Sequence, residues 1–175
     1  YHWPTPQVFD QNGMRSIGYH DRLVLPVEVS GHGPLRLTGT LDIGVCQDIC
    51  VPAQLRFDAA LTDGPRDPVI VGALLDQPQA EGHATCRVTP TADGLTLEAV
   101  LTLPATGANE AVVIEAGDPH IWVSEPQIRR QGETLTAQAQ MVRGAGEAFA
   151  LDRSAVRFTV LGHDRAVEVH GCTAG

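Results

Sequence analysis

Residues 35–61 read almost the same forwards and backwards in hydrophobicity. Leu35, Leu37, Gly39, Leu41, Ile43 and Val45 alternate with Arg36, Thr38, Thr40, Asp42 and Gly44. The alternation resumes after Cys50 with Val51, Ala53, Leu55, Phe57, Ala59 and Leu61. A period of two belongs to a strand with one apolar face. Folding the two runs together about Asp48 sets Val45 against Val51, Ile43 against Ala53, Leu41 against Leu55 and Gly39 against Phe57. Leu37 then meets Ala59 and Leu35 meets Leu61. A slip of one residue would put every apolar side chain on the wrong face, so the pattern specifies one register. In it Cys46 lies opposite Cys50 on the face away from the core, with Gln47, Asp48 and Ile49 as the turn.

Directly opposed residues have Cβ atoms about 4.5–5.5 Å apart, whereas a disulfide prefers about 3.8 Å. A Cys46–Cys50 bond is therefore reachable with some pinching of the strands. A solvent-facing pair at a hairpin tip suits thiol–disulfide exchange. Asp42 and Asp48 are its acidic neighbours, and no Arg, Lys or His lies between residues 39 and 55. Carboxylates disfavour the thiolate, so thiol pKa values are expected to be raised and the pair to react through a specific partner. Two other readings stand beside this one. The first is a permanent structural disulfide. The second is a copper or zinc site completed by His20 or His32, although no second Cys-x-x-Cys or His pair at ligand spacing accompanies it.

Alternation continues through the rest of the chain. Leu23, Leu25, Val27 and Val29 form one set, and Leu95, Leu97, Ala99, Leu101 and Leu103 another. Leu135, Ala137, Ala139 and Met141 follow, then Val156, Phe158 and Val160. Turn signals at residues 90–94 and 107–110 separate these runs. The pattern predicts an all-β sandwich fold. One helix is expected where Asp67 can cap and Pro68 suits the first turn, with Val69, Ile70, Ala73 and Leu74 as its apolar stripe. The polar stretch that follows places a domain boundary near residue 80. The expectation is two small sandwich units, 1–80 and 81–175, joined by that short helix. The first has too few strands to close alone; it either lacks strands upstream or borrows an edge. Cys86 and Cys172 bracket the second unit, and their pairing would close a loop worth about 4–5 kcal/mol in loop entropy.

The chain carries a formal net charge of −9, and its twelve basic residues are all Arg. Such a surface repels nucleic acid and anionic lipid, which excludes both as main partners. No run of eighteen apolar residues is present, so no membrane-inserted segment is expected. The start at Tyr1, without Met or a signal pattern, is what a processed or excised fragment would show. No cofactor is called for. His120 and Trp122, beside Asp118-Pro119, are read as strand residues and a core aromatic rather than as a partner surface.

The segment Gly44-Val45-Cys46-Gln47-Asp48-Ile49-Cys50-Val51-Pro52-Ala53 resembles the cysteine motif of the thiol:disulfide interchange protein DsbD, N-terminal domain family. It is most like the branch containing the amino-terminal part of the suppressor-of-copper-sensitivity protein ScsB. Trp3-Pro4-Thr5-Pro6, Gly18-Tyr19, Val24-Leu25-Pro26, Gly117-Asp118-Pro119 and Trp122-Val123 add to the likeness. The resemblance implies immunoglobulin-like β-sandwiches in the bacterial periplasm, with Cys46 and Cys50 as the redox pair. It implies a membrane-embedded domain as electron donor and periplasmic thioredoxin-fold proteins as acceptors. Family members shield the pair with an aromatic cap loop, for which residues 9–19, bounded by Phe9 and Tyr19, are the nearest match. The sequence contains neither the membrane domain nor the thioredoxin domain of larger family members. The expected reaction is disulfide reduction through a mixed disulfide. Cys50 is favoured as the attacking residue, although the hairpin treats the two cysteines almost symmetrically. A non-catalytic envelope β-module, copper-binding or structural, is the alternative.

Overall fold

A computed structural model describes the chain apart from Asn12, Gly13, Asp48, Asp63 and Arg66. About half of it is strand (51%) and only 5% helix, which makes the protein all-β as its alternation predicts. It divides into two compact units, one of Tyr1–Pro4 with Phe9–Asp76 and the other of Thr5–Val8 with Gln77–Gly175.

The second unit is a β-sandwich. One sheet runs in the order β10 (Gln127–Gln131), β11 (Thr134–Arg143), β7 (Leu95–Thr102), β6 (His83–Pro90) and β14 (Thr173–Ala174), and β9 (Ile121–Val123) also pairs with β11. The facing sheet runs β5 (Gln79–Ala80), β13 (Ala166–His170), β12 (Arg157–Leu161) and β8 (Ala111–Glu115). Alternation fills the space between them. Leu97, Leu101, Leu135 and Met141 point in from the first sheet, and Phe158, Val160 and Val167 from the second, all fully buried. Burial of each such side chain stabilises the fold by about 1.5–3 kcal/mol relative to exposure. Turns sit where Gly permits them: Gly132, at φ 58°, begins the two-residue connection from β10 to β11.

A buried polar cluster ties one end of this sandwich. Arg130 donates to both carboxylate oxygens of Glu110, at 2.8 and 2.6 Å, and to the Leu103 carbonyl at 2.9 Å. The fully buried Thr106 donates its amide and hydroxyl to Glu110 at 2.9 and 3.0 Å. Burial pushes the Glu110 carboxyl up, but the guanidinium and the two Thr106 donors outweigh it and hold the carboxyl below its ordinary range.

The first unit holds a long hairpin, a helix and all of a short hairpin except Gln7 and Val8. β1 (Gln7–Gln11) pairs with β2 (Met14–Gly18), and β3 (Leu35–Cys46) with β4 (Cys50–Leu61). Every pair expected for the long hairpin is present, from Leu35 opposite Leu61 to Cys46 opposite Cys50. The helix α1 (Pro68–Leu75) is capped as expected, the Asp67 carboxylate accepting from the Val69 amide at 2.8 Å. Its stripe is another matter. Ala73 is buried and Leu74 half-buried, whereas Val69 and Ile70 lie in the open. Eight residues give too little surface for an amphipathic pattern to fix which side packs. As the strand count implies, the described strands of this unit do not close a sandwich among themselves.

Two other expectations differ from the structure. The alternating set Leu23–Val29 lies outside any regular strand. Pro26, in its middle, lacks an amide hydrogen and interrupts the donor row that a strand would need. Trp122 is not a core aromatic; it is 62% exposed, because the three-residue strand turns Ile121 inward and Trp122 to the outside.

Candidate redox site at the hairpin tip

Because β3 and β4 are twelve residues each and in unbroken register, side chains of even number on β3 share one face. That face carries Thr40, Asp42, Gly44 and Cys46, opposite Arg56, Gln54, Pro52 and Cys50. The final rung is a disulfide, Cys46–Cys50, with Cα atoms 4.0 Å apart. This is closer than the roughly 4.5 Å of an ordinary non-hydrogen-bonded pair, so the strands are drawn together at the tip. Both cysteines are exposed, and Ile49 between them is 75% exposed. Gln47 donates its amide to the Ile49 carbonyl at 3.3 Å to close the turn. Asp48 lies outside the described residues.

Lower on the same face, the rungs are linked by polar contacts. The Gln54 amide donates to the Asp42 carboxylate at 2.9 Å, and Arg56 donates to the Gln54 carbonyl at 3.3 Å. Arg36 binds Asp58 through two bonds of 2.6 and 2.7 Å. Asp42 is four residues from Cys46 along a continuous strand, about 13 Å at the usual rise per residue.

The other face of the tip is apolar and open. Val45 and Val51 are 57% and 53% exposed. With Ala53 and Ile49 they line a shallow cleft of about 650 Å³ that also touches Cys46 and Gln47. Neither Phe9 nor Tyr19 lines it. Tyr19 donates its hydroxyl to the Pro4 carbonyl at 2.9 Å and stacks on Trp3, while the Phe9 ring lies against His20. Tyr19 thus packs with the first residues of the chain and Phe9 with His20, and neither is among the residues that line the disulfide cleft. His20 contacts the Asp21 carboxylate at 2.7 Å. Among the described residues no group of three or more His, Cys, Asp or Glu side chains is placed to hold a metal ion.

Cys86 and Cys172 form the second disulfide, with Cα atoms 5.7 Å apart. Cys86 faces the core of the sandwich from the middle of β6 and is 2% exposed. The segment after Cys172 pairs with the same strand, Ala174 opposite Cys86, and the Gly175 amide donates to the Cys86 carbonyl. The four cysteines are thereby separated into a pair with both members exposed and a pair in which Cys86 is buried and Cys172 half-buried. Gly44 and Pro52, which belong to the motif that carries the family resemblance, form the next pair below the cysteines on the same face.

Comparisons with known proteins bear out the resemblance read from the motif. Residues 1–62 match the family model described as thiol:disulfide interchange protein DsbD, N-terminal. The match takes in both Cys46 and Cys50 and stops at the end of β4. No curated protein matches the chain. Among solved structures, the N-terminal periplasmic domain of ScsB from Proteus mirabilis aligns with a TM-score of 0.60 and 16% sequence identity. The alignment covers 99% of this chain and 72% of that one. At this level of identity the likeness is one of fold. Among the described residues no helix is long and apolar enough to cross a membrane.

Proposed function

We propose that this chain is a thiol–disulfide interchange module whose working pair is Cys46 and Cys50. The observation that carries the reading is the disulfide at the end of a two-stranded arm with both cysteines exposed, in contrast to a second disulfide whose Cys86 is buried and Cys172 half-buried. Exchange requires a thiolate to reach a sulfur, and the tip disulfide is the one with both of its cysteines exposed. The family match over the segment holding this pair supports the same reading.

The reaction balances as two thiol–disulfide exchanges. A donor thiolate attacks one sulfur and forms a mixed disulfide, and the second cysteine leaves as a thiolate and takes up a proton. The donor's other thiolate then displaces the first cysteine, so the donor is oxidised by two electrons and the pair reduced. Passing the electrons on to an oxidised acceptor repeats the sequence in reverse. By analogy with the family, the donor is a membrane-embedded domain, the acceptors are thioredoxin-fold proteins, and the compartment is the periplasm. Cys50 is proposed as the attacking cysteine. Trapping with Cys46→Ser and Cys50→Ser tests this: the variant that keeps the attacker accumulates the mixed disulfide with a thioredoxin-fold protein. Cys86–Cys172 is proposed as a structural bond.

A redox titration in dithiothreitol or glutathione buffers, with alkylation read peptide by peptide, tests the whole reading. The Cys46–Cys50 pair is expected to reduce between about −180 and −270 mV while Cys86–Cys172 stays bonded. Resistance of both pairs to below about −300 mV would make them staples and end the proposal.

A further inference from the structure

The outer face of the sheet formed by β10, β11, β7 and β6 carries a cleft of about 590 Å³ that lies apart from the hairpin tip. Strand register lays out its walls and floor. Gln127, Gln138, Glu98 and Arg87 stand in one row across the four strands. Arg129, Thr136, Val100 and Thr85 stand in the next. The residues between the two rows on β7 and β11, Ala99 and Ala137, are buried in the core, so these two rows point outward.

The charge in this cleft runs against that of the chain, whose net charge is −9. Elsewhere in the unit Arg130, Arg143, Arg157 and Arg165 each contact a carboxylate. The Arg87 and Arg129 side chains contact none among the described residues, and Glu98 forms no ion pair with Arg87 directly opposite it. The two arginines stand on opposite sides of the cleft, three inter-strand gaps or about 14 Å apart. A guanidinium left free in an acidic chain is a fork for an external carboxylate. Between them lie the amides of Gln127 and Gln138 and the Thr136 hydroxyl, neutral groups that both donate and accept. Trp122 shares this face. It lies opposite Val142, which is on the same side of β11 as Gln138, because Leu135, Ala137, Ala139 and Met141 turn inward. The indole is 62% exposed, about 13 Å along the strand from Gln138.

We infer that this face binds an extended acidic glycan, a chain of sugar rings that bear carboxylates. Arg87 and Arg129 take the carboxylates, the Gln and Thr side chains take ring hydroxyls, and the exposed indole stacks on the apolar side of one ring. An acidic peptide is the poorer match. Extended peptides dock by pairing their backbone with a sheet edge. Here the cleft lies on the face of strands whose backbone groups are already paired with one another, so only side chains are on offer. The inference stands independently of the interchange reading.

Titration calorimetry of the full chain tests this with three probes: a hexamer of galacturonic acid, the same hexamer fully methyl-esterified, and hexaglutamate. The galacturonate hexamer is expected to bind with a Kd below about 1 mM, and the other two at least about tenfold more weakly. Arg87→Gln and Arg129→Gln should each weaken galacturonate binding about tenfold, the scale of one charge-assisted hydrogen bond, and Trp122→Ala by a similar factor. Arg157→Gln, on the facing sheet, should leave it unchanged. Arg87, Arg129 and Trp122 are all exposed, so thermal melts should match the parent, and if one variant does not fold the others carry the test. Failure of the parent to bind the galacturonate hexamer at about 1 mM would overturn the inference. So would folded arginine or Trp122 variants that bind as the parent does, or an ester that binds as tightly as the acid. Hexaglutamate binding as tightly as galacturonate would make the face a peptide site and overturn it as well.

Discussion

The sandwich of the second unit and the long hairpin of the first are built from the same alternating pattern, yet they put it to opposite uses. In the sandwich, the apolar face of β7 and β11 is covered by β12 and β13, and Leu97, Leu135 and Phe158 lose contact with water altogether. In the hairpin, Val45, Val51, Leu55 and Phe57 remain substantially exposed. The disulfides follow the same division: Cys86 is sealed into the core, while Cys46 and Cys50 stand at the tip. Alternation therefore sets which residues share a face, but not whether that face is covered. The two disulfides thus differ by what lies over them, which is the ground on which one is proposed as reactive and the other as structural.

The sharpest way to break this contrast is to remove each disulfide in turn. Replacing Cys86 and Cys172 with Ala should lower the stability of the second unit by about 4–5 kcal/mol, since the bond closes a very long loop. The equivalent change at Cys46 and Cys50 should cost less than about 2 kcal/mol, the loop being short. Denaturant unfolding followed by hydrogen exchange on β7 and β11 separates the two effects. A loss of equal size from the tip pair would mean that it too is structural.

Core truncation comes next. Phe158→Ala should cost about 3–5 kcal/mol by leaving a cavity between the sheets. A loss under about 1 kcal/mol in chemical denaturation would show that the sheets pack more loosely than the burial of Phe158 implies.

Glu110→Gln should cost about 2–3 kcal/mol at neutral pH by leaving Arg130 underpaired in a mostly buried position. The sign with pH follows from the lowered carboxyl. A depressed folded-state pKa stabilises the fold above the unfolded value, about 4.5, and that contribution is lost as pH falls through the folded value. The gap between parent and variant, measured by denaturation at pH 7 and then pH 3, should narrow on acidification. A gap that stays constant would show that the carboxylate charge contributes nothing.

The smallest effect is expected on the open face of the hairpin. Leu55→Ser should change stability by less than about 1 kcal/mol, because the side chain is already half in water. A melting shift as large as that of Phe158→Ala would mean the face is covered when the protein is in solution.

Much of this was legible in the sequence, and residues 35–61 show why. Two apolar runs mirrored about a short turn admit one register, so the pairing of Cys46 with Cys50 followed from counting. The Asp67 cap and Pro68 start of the helix were readable because a capping carboxylate acts within a few residues. The exposure of Val69, Ile70 and Trp122 was not readable, since a short element does not by itself decide which side meets a neighbour. Asp42 looks close to Cys46 in the sequence, but four residues of extended strand span about 13 Å.

By itself, the sequence determined the local quantities: strand period, register, turn positions, the helix cap and which cysteines face each other at the tip. Those follow from covalent geometry and side-chain alternation over a few residues. The tertiary structure decided what is covered. It buried Cys86 beneath a second sheet, left the tip disulfide open, and set Tyr19 against Trp3 and Pro4 and Phe9 against His20. Burial depends on elements far apart in sequence meeting in space, and no local pattern encodes which of them will meet.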